Sequence, residues 1–87
     1  MAWFVYILES VNTGRLYRGC TEDPDRRLDQ HNRGAVRSTK AYAPWRRIVL
    51  EEFPTKTEAL QRERFLKSRS GHRVVKRLAT ASRDHVA

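Results

Sequence analysis

The pattern of apolar and polar positions predicts three strands and at least two helices in this chain of 87 residues. An almost unbroken apolar run, WFVYIL from Trp3 to Leu8, is typical of a central strand that is covered on both faces. The turn cluster ESVNTG follows, and RLYRGC then returns as a second strand, so we expect a hairpin. After a polar stretch, RRIVLEEF has the weak alternation of a half-buried edge strand.

Capping signals indicate where the helices begin. Asp23 followed by Pro24 combines an N-cap acceptor with proline at the first helical position, and this helix can stop at Gly34. Thr55 and Glu58 form a capping box that opens a second helix, EALQRERFLKS. HRVVKRLA predicts a last short helix, and TASRDHVA is expected to be a frayed tail with nothing to bury.

The order of these elements favours one fold class. Because a hairpin comes first, the simplest arrangement is a three-stranded antiparallel sheet with the first strand in the middle and helices on its faces. We therefore predict an α+β domain of order β-β-α-β-α-(α) over residues 1–78, followed by a disordered tail over residues 79–87.

The charge balance points to a polyanionic partner. Eighteen Lys and Arg residues against ten acidic residues give a formal net charge of +8. A small domain with such an excess usually binds nucleic acid, and arginine suits phosphate because its planar guanidinium can donate two hydrogen bonds at once. The single Cys20 cannot form an internal disulfide and no apolar run is long enough to span a bilayer, so we expect a cytoplasmic protein without membrane contact.

Glu63 stands at an unusual position in the second predicted helix. At about 100° per residue, Ala59, Leu60 and Leu66 form one apolar stripe, and Glu63 falls within it. A carboxylate turned toward a core needs a cation, hydrogen bonds or a cleft, because burying it unpaired is costly. One explanation is a salt bridge to an arginine. The other is a magnesium site, since one or two carboxylates can hold Mg²⁺ together with phosphate and water.

Two tyrosines and a pair of basic residues are placed where they could meet. For most tight loops around residues 12–14, Tyr17 lies opposite Tyr6 or Leu8, so that both phenols share one face of the sheet; a register shift of one residue would separate them. Arg27 and His31 are four residues apart and are therefore neighbours on one helix face. Taken singly, each residue fits core packing or a solvated helix face. Together they predict an anion site.

Several segments resemble the GIY-YIG nuclease superfamily. VYIL before the turn and LYRG after it are similar to its two sequence hallmarks, and DPDRRLDQHNRG is similar to its helix with arginine and histidine. GAVRSTKAYAPWRRIVLEEF and TEALQRERFLKS resemble the small, single-domain bacterial branch, and the resemblance spans Trp3 to Lys76. The chain departs from the pattern at Val5, where the first hallmark has glycine, and at Arg18, where the second has an aliphatic residue. It also has no matching late asparagine after Ser70.

The resemblance implies hydrolysis of DNA phosphodiester bonds with one divalent metal ion, Mg²⁺ or Mn²⁺, and no small-molecule cofactor. It implies that Glu63 binds the metal, that Arg27 balances charge on the phosphate, and that Gly19 closes the second hallmark as a structural residue. One phenol, of Tyr6 or Tyr17, would orient or deprotonate the attacking water. His31 would transfer a proton or hold the phosphate, which makes it the fourth predicted catalytic residue.

A further set of mostly basic side chains is predicted to line the approach and contact the nucleic acid backbone. Its members are Arg18, Arg37, Thr39, Lys40, Arg46, Arg47, Arg69 and Arg73. We expect structure-specific or weakly sequence-specific cutting by a monomer, with DNA preferred over RNA through the resemblance. The main alternative is a basic module on the same fold that binds nucleic acid without chemistry, and a third possibility is a protein that binds an acidic partner. The enzyme is favoured because binding alone would not require Glu63.

Overall fold

A computed structural model, which describes residues 2–84, confirms the predicted α+β architecture. Strands β1 (Trp3–Ser10), β2 (Leu16–Thr21) and β3 (Trp45–Phe53) form an antiparallel sheet in the order β2-β1-β3, so the first strand is central. The long apolar run of β1 explains this position, because a central strand is covered on both faces.

Three helices follow the strands: α1 (Pro24–Asn32), α2 (Lys56–Lys67) and α3 (Arg69–Asp84). The predicted caps begin the first two, since the Asp23 side chain accepts from the Arg26 amide and the Thr55 hydroxyl accepts from the Glu58 amide. None of the described helices is long and apolar enough to cross a membrane.

Side chains alternate along β1 and therefore contribute to two cores. Val5 and Ile7 point toward α2 and α3, where they pack with Ala59, Leu66 and Val75. On the opposite face, Tyr6 and Leu8 pack with Trp45 and, at the periphery, with residues of α1 and of the loop before β3. The candidate site lies on this second face.

Helix α3 is longer than the sequence predicts. We expected a short helix and a disordered tail over residues 79–87, but α3 continues to Asp84, and residues 85–87 lie outside the described part of the chain. Val75 and Ala79 are both buried one turn apart, so the packed side of the helix reaches residue 79, where we expected the disordered tail to start. The Thr80 hydroxyl donates to the Lys76 carbonyl at 3.0 Å, which satisfies this polar group within the helix.

Candidate active site

The hairpin register places Tyr6 and Tyr17 on the same face of the sheet. Leu8 is paired with Tyr17, and Tyr6 with Gly19, which confirms the alignment on which the shared face depends. The two phenol rings lie 6.3 Å apart between centroids. A Cβ atom on Gly19 would collide with the hydroxyl and ring carbons of Tyr6. The Tyr6 ring therefore lies across the backbone of β2, in space that Gly19 leaves open.

Helix α1 presents Arg27 and His31 toward these phenols. His31 is fully buried, and its Nε2 lies 3.0 Å from the Tyr6 hydroxyl oxygen. Its ring also contacts Tyr17 edge-on, at 5.0 Å between centroids. Arg27 is held from its own helix, because its Nη1 donates to the Gln30 side-chain oxygen at 3.0 Å. The helix face predicted from the four-residue spacing is thus the face that meets the sheet.

The second nitrogen of His31 is bound by Thr39. The Nδ1 atom lies 2.7 Å from the Thr39 hydroxyl oxygen, which in turn lies 3.4 Å from the Val36 carbonyl oxygen. Thr39 is 1% exposed, and its carbonyl accepts from the indole nitrogen of Trp45 at 3.0 Å. The prediction that the Thr39 side chain contacts nucleic acid is therefore wrong, because this hydroxyl faces the interior.

Burial sets the protonation states of the two central groups. It raises the pKa of Tyr6 to about 12, although hydrogen bonding by the Arg27 guanidinium acts in the opposite direction. It lowers the pKa of His31 to about 4, and the positive charge of Arg27 adds to this effect. At neutral pH, Tyr6 is therefore protonated and His31 is neutral. Since no part of His31 is exposed, the predicted direct contact between His31 and a phosphate does not fit the structure.

Glu63 of α2 affects Tyr6 through its charge. The pKa of Tyr6 and the pKa of Cys20 are both raised, first by burial and then in part by the negative charge of Glu63. Its side chain is 19% exposed, and Oε1 lies 3.4 Å from the ammonium of Lys67, one turn further along the helix. The bridge to an arginine that we considered is thus replaced by a contact with lysine.

The chemistry of this donor set limits the kind of metal site that it can form. Among residues 2–84, no group of three or more His, Cys, Asp or Glu side chains could hold a metal ion by itself. One partly exposed carboxylate does not make a closed protein cage, but it fits a magnesium-type ion that keeps water and substrate oxygens as its other ligands.

A cavity of about 350 Å³ opens beside these groups, between the end of β2 and the start of α1. Arg27 forms part of its wall, together with Trp3, Cys20, Arg26 and Gln30. Of the predicted catalytic and metal-binding residues, Arg27 alone lines this cavity, whose wall also includes the acidic Glu22 and Asp23.

Some of the residues predicted to contact nucleic acid already form ion pairs with carboxylates, and others do not. Arg46 donates to Glu9 at 2.7 and 3.1 Å, and Arg47 donates to Asp25 at 3.0 Å. Four other cations are exposed and have no carboxylate within ion-pair distance among the described residues: Arg37, Lys40, Arg69 and Arg73. These four are therefore the predicted contacts whose charge no neighbouring carboxylate in the described part of the chain offsets.

Arg18 lies on the other face of the sheet. It is paired with Ile7, so its half-buried side chain points toward α2 and α3. Its Nη2 lies 3.4 Å from Nδ1 of His72, and its buried Nε has no hydrogen-bond partner. Arg18 therefore does not converge with Tyr6 and Arg27.

Two features of the site have no clear sequence signal. Gln30 lies one turn from Arg27, a spacing at which a hydrogen bond is common but not specific. The hydrogen bond between Thr39 and His31 joins helix α1 to a loop whose sequence has no periodic pattern. The only sequence signal for this bond is that Thr39 is polar.

Known proteins similar to this chain point to one family. A family model described as the GIY-YIG catalytic domain matches residues 2–77. A UPF0213 protein of Nitratidesulfovibrio vulgaris is 37% identical over 83 residues, which cover 94% of this chain and 74% of that protein. A UPF0213 protein of Staphylococcus aureus is 39% identical over 66 residues, covering 75% of this chain and 79% of its own length.

A solved structure agrees with these sequence matches. The solution NMR structure of a UPF0213 protein from Bacillus halodurans superposes with a TM-score of 0.54 and 36% identity, covering 90% of this chain and 85% of that one. Together with the match over residues 2–77, this similarity shows that the chain belongs to the GIY-YIG nuclease superfamily, among its small UPF0213 members.

Proposed function

We propose that this protein is a divalent-metal-dependent endonuclease that hydrolyses DNA phosphodiester bonds in DNA repair or processing. The observation that supports this most directly is that the Glu63 carboxylate and the Arg27 guanidinium both act on the pKa of the Tyr6 phenol, which itself lies 3.0 Å from His31 Nε2. A module that only binds nucleic acid needs the cations but not the carboxylate. Cutting would be structure-specific or weakly sequence-specific.

Glu63 would hold Mg²⁺ or Mn²⁺, with phosphate oxygens and water as the remaining ligands. The bound ion supplies Lewis-acid stabilisation of negative charge on the phosphate and on the leaving oxygen. Lys67 would turn away from the Glu63 carboxylate when the metal ion binds. Its side chain is 53% exposed, which permits this movement.

Arg27 would balance the charge that builds on the non-bridging oxygens of the phosphate. A guanidinium suits this role when it is fixed before the reaction, because no reorganisation is then needed as charge develops. Gln30 holds Arg27 from its own helix, because the Gln30 side-chain oxygen accepts from Arg27 Nη1 at 3.0 Å. Its other N–H groups would face the cavity and the substrate.

Tyr17 is the phenol that we assign to the attacking water. Tyr6 is 2% exposed and its hydroxyl is engaged with His31, whereas Tyr17 is half-buried and its hydroxyl makes no hydrogen bond to another described residue. The water oxygen would bond to phosphorus as the bond to the leaving oxygen breaks. The water proton would pass to Tyr17 as that phenol gives its own proton to solvent. His31 would act through Tyr6.

A nicking assay on plasmid and branched DNA with Mg²⁺ or Mn²⁺ tests this proposal. The wild-type protein is expected to cut, and Glu63→Gln and Arg27→Ala to lose at least about 100-fold in rate. Matched controls are Glu52→Gln, an exposed carboxylate on β3, and Arg33→Ala, an exposed arginine at the end of α1 that pairs with Asp29. Both controls should cut like the wild type.

Binding measurements separate the alternatives. Broadening of NMR signals around Glu63 by Mn²⁺, lost in Glu63→Gln, would support the metal site without relying on activity. Equal cutting by all variants would reject the site. A wild-type protein that shifts DNA on a gel but never cuts it would support the binding module instead.

A further inference from the structure

The hydrogen bonds between Tyr6 and Val36 form one chain with a fixed direction. The Tyr6 hydroxyl oxygen lies 3.0 Å from His31 Nε2. His31 Nδ1 lies 2.7 Å from the Thr39 hydroxyl, which lies 3.4 Å from the Val36 carbonyl oxygen. The chain therefore links a residue of the proposed active site to a loop behind it.

The two ends of this chain set the direction of the bonds between them. A carbonyl oxygen can only accept, so the Thr39 hydroxyl donates to Val36 and can accept from His31 Nδ1. At the other end, His31 Nε2 is the only acceptor within hydrogen-bond distance of the Tyr6 hydroxyl among the described residues, so it is the acceptor for the Tyr6 proton. His31 therefore carries its proton on Nδ1.

Reversing the middle bonds would leave a proton without an acceptor. If Thr39 donated to Nδ1, the proton of neutral His31 would sit on Nε2 and point at the Tyr6 oxygen. The Tyr6 proton would then have no acceptor among the described residues, and the bond from Thr39 to Val36 would be lost. Unsatisfied polar groups are costly in a buried site, and Tyr6, His31 and Thr39 are each at most 2% exposed.

We propose that Thr39 is a positioning residue that fixes the tautomer of His31 and, through it, the direction in which the Tyr6 hydroxyl donates. This inference rests on the proposed function for its consequence, because Tyr6 belongs to the proposed active site. Thr39 itself touches neither substrate nor metal. A residue behind the site that sets a ring tautomer is a recognised way to control the group in front of it.

The test compares Thr39→Val, which keeps the shape but removes the hydroxyl, with Thr39→Ser, which keeps the hydroxyl. Nitrogen-15 NMR of the imidazole at neutral pH reports the tautomer directly. Wild type and Thr39→Ser are expected to show His31 protonated on Nδ1, and Thr39→Val to show a mixture of tautomers. The rate of DNA cutting in Thr39→Val should fall about tenfold or more at saturating DNA, with recovery in Thr39→Ser.

Several results would overturn the inference. If His31 of the wild-type protein is protonated on Nε2, the inference is wrong regardless of the variants. The test therefore gives an answer even if Thr39→Val fails to fold. An unchanged tautomer in folded Thr39→Val, or a Thr39→Ser variant as impaired as Thr39→Val, also contradicts it. If the wild type never cuts DNA, the proposed function fails, while the tautomer measurement still decides the role of Thr39.

Discussion

The phenol of Tyr6 lies across the backbone of Gly19 on the neighbouring strand, in space that a single added methyl group would fill. This contact allows the Tyr6 hydroxyl to reach His31 on α1 while the ring stays packed on the sheet. Gly19, in the second family hallmark, thus provides the space that Tyr6, in the first hallmark, occupies.

We expect Gly19→Ala to disturb both stability and activity. The new Cβ would displace the Tyr6 ring, at a cost of about 1–3 kcal/mol in the free energy of unfolding, as is common for overpacking in a core. Cutting should fall along with the bond between Tyr6 and His31. Urea unfolding checks the first effect, and a double-mutant cycle with Tyr6→Ala checks its cause. In the Tyr6→Ala background, Gly19→Ala should cost much less; an equal cost in both backgrounds would contradict the proposed clash.

Tyr6→Phe and Tyr17→Phe are expected to separate the two phenols. Removing the Tyr6 hydroxyl leaves His31 without its partner in a buried site, so Tyr6→Phe should lose about 1–3 kcal/mol of stability as well as activity. Tyr17→Phe should lose activity with little change in stability, because its hydroxyl makes no hydrogen bond to another described residue. Thermal unfolding and single-turnover cutting give the two readouts. A Tyr17→Phe variant that cuts at the wild-type rate would remove Tyr17 from the proposed chemistry.

The fold and the placing of Tyr6 and Tyr17 on one face of the sheet were largely predictable, for identifiable reasons. The apolar run of β1 predicts a central strand, and the short turn before Leu16 constrains the register that aligns Tyr6 with Tyr17. Glu63 was detectable because a carboxylate on an apolar stripe is costly without a reason. Each of these signals is local in sequence or follows from a regular period.

What the sequence could not provide depends on packing between distant segments. The end of α3 was missed because TASRDHVA has weak helix signals, while the burial of Ala79 becomes visible only in the folded structure. Thr39 was assigned to the surface because a polar loop is normally solvated. Its hydroxyl instead forms a hydrogen bond with His31, eight residues earlier. No periodic pattern in the sequence predicts this contact.

The stability of the protein should fall with acid because His31 is buried as a neutral ring. Its pKa lies at about 4 in the folded protein, compared with 6.5 for a free histidine, so the unfolded chain binds a proton more readily. The free energy of unfolding therefore has its full value above pH 6.5. It decreases as the pH falls toward 4, by up to about 3 kcal/mol. Urea unfolding at pH 7.5, 6 and 5 measures this loss. His72→Gln, which removes an exposed histidine, should retain the same pH dependence; a flat profile in the wild type would contradict the burial of a neutral His31.

DNA binding should depend on the exposed cations that no acid neutralises. Arg69 and Arg73 lie in the first turns of α3 without a carboxylate partner among the described residues, whereas Arg46 is bound by Glu9. Each phosphate contact releases condensed counterions, so losing one lowers the slope of log K against log salt concentration by about 0.9. We expect Arg69→Ala and Arg73→Ala each to lower the slope by about this amount, and Arg46→Ala to lower it less. Fluorescence anisotropy over a salt series, with Glu63→Gln as the uncleaving background, measures all three. Equal slopes for the wild type, Arg69→Ala and Arg73→Ala would show that the start of α3 does not touch DNA.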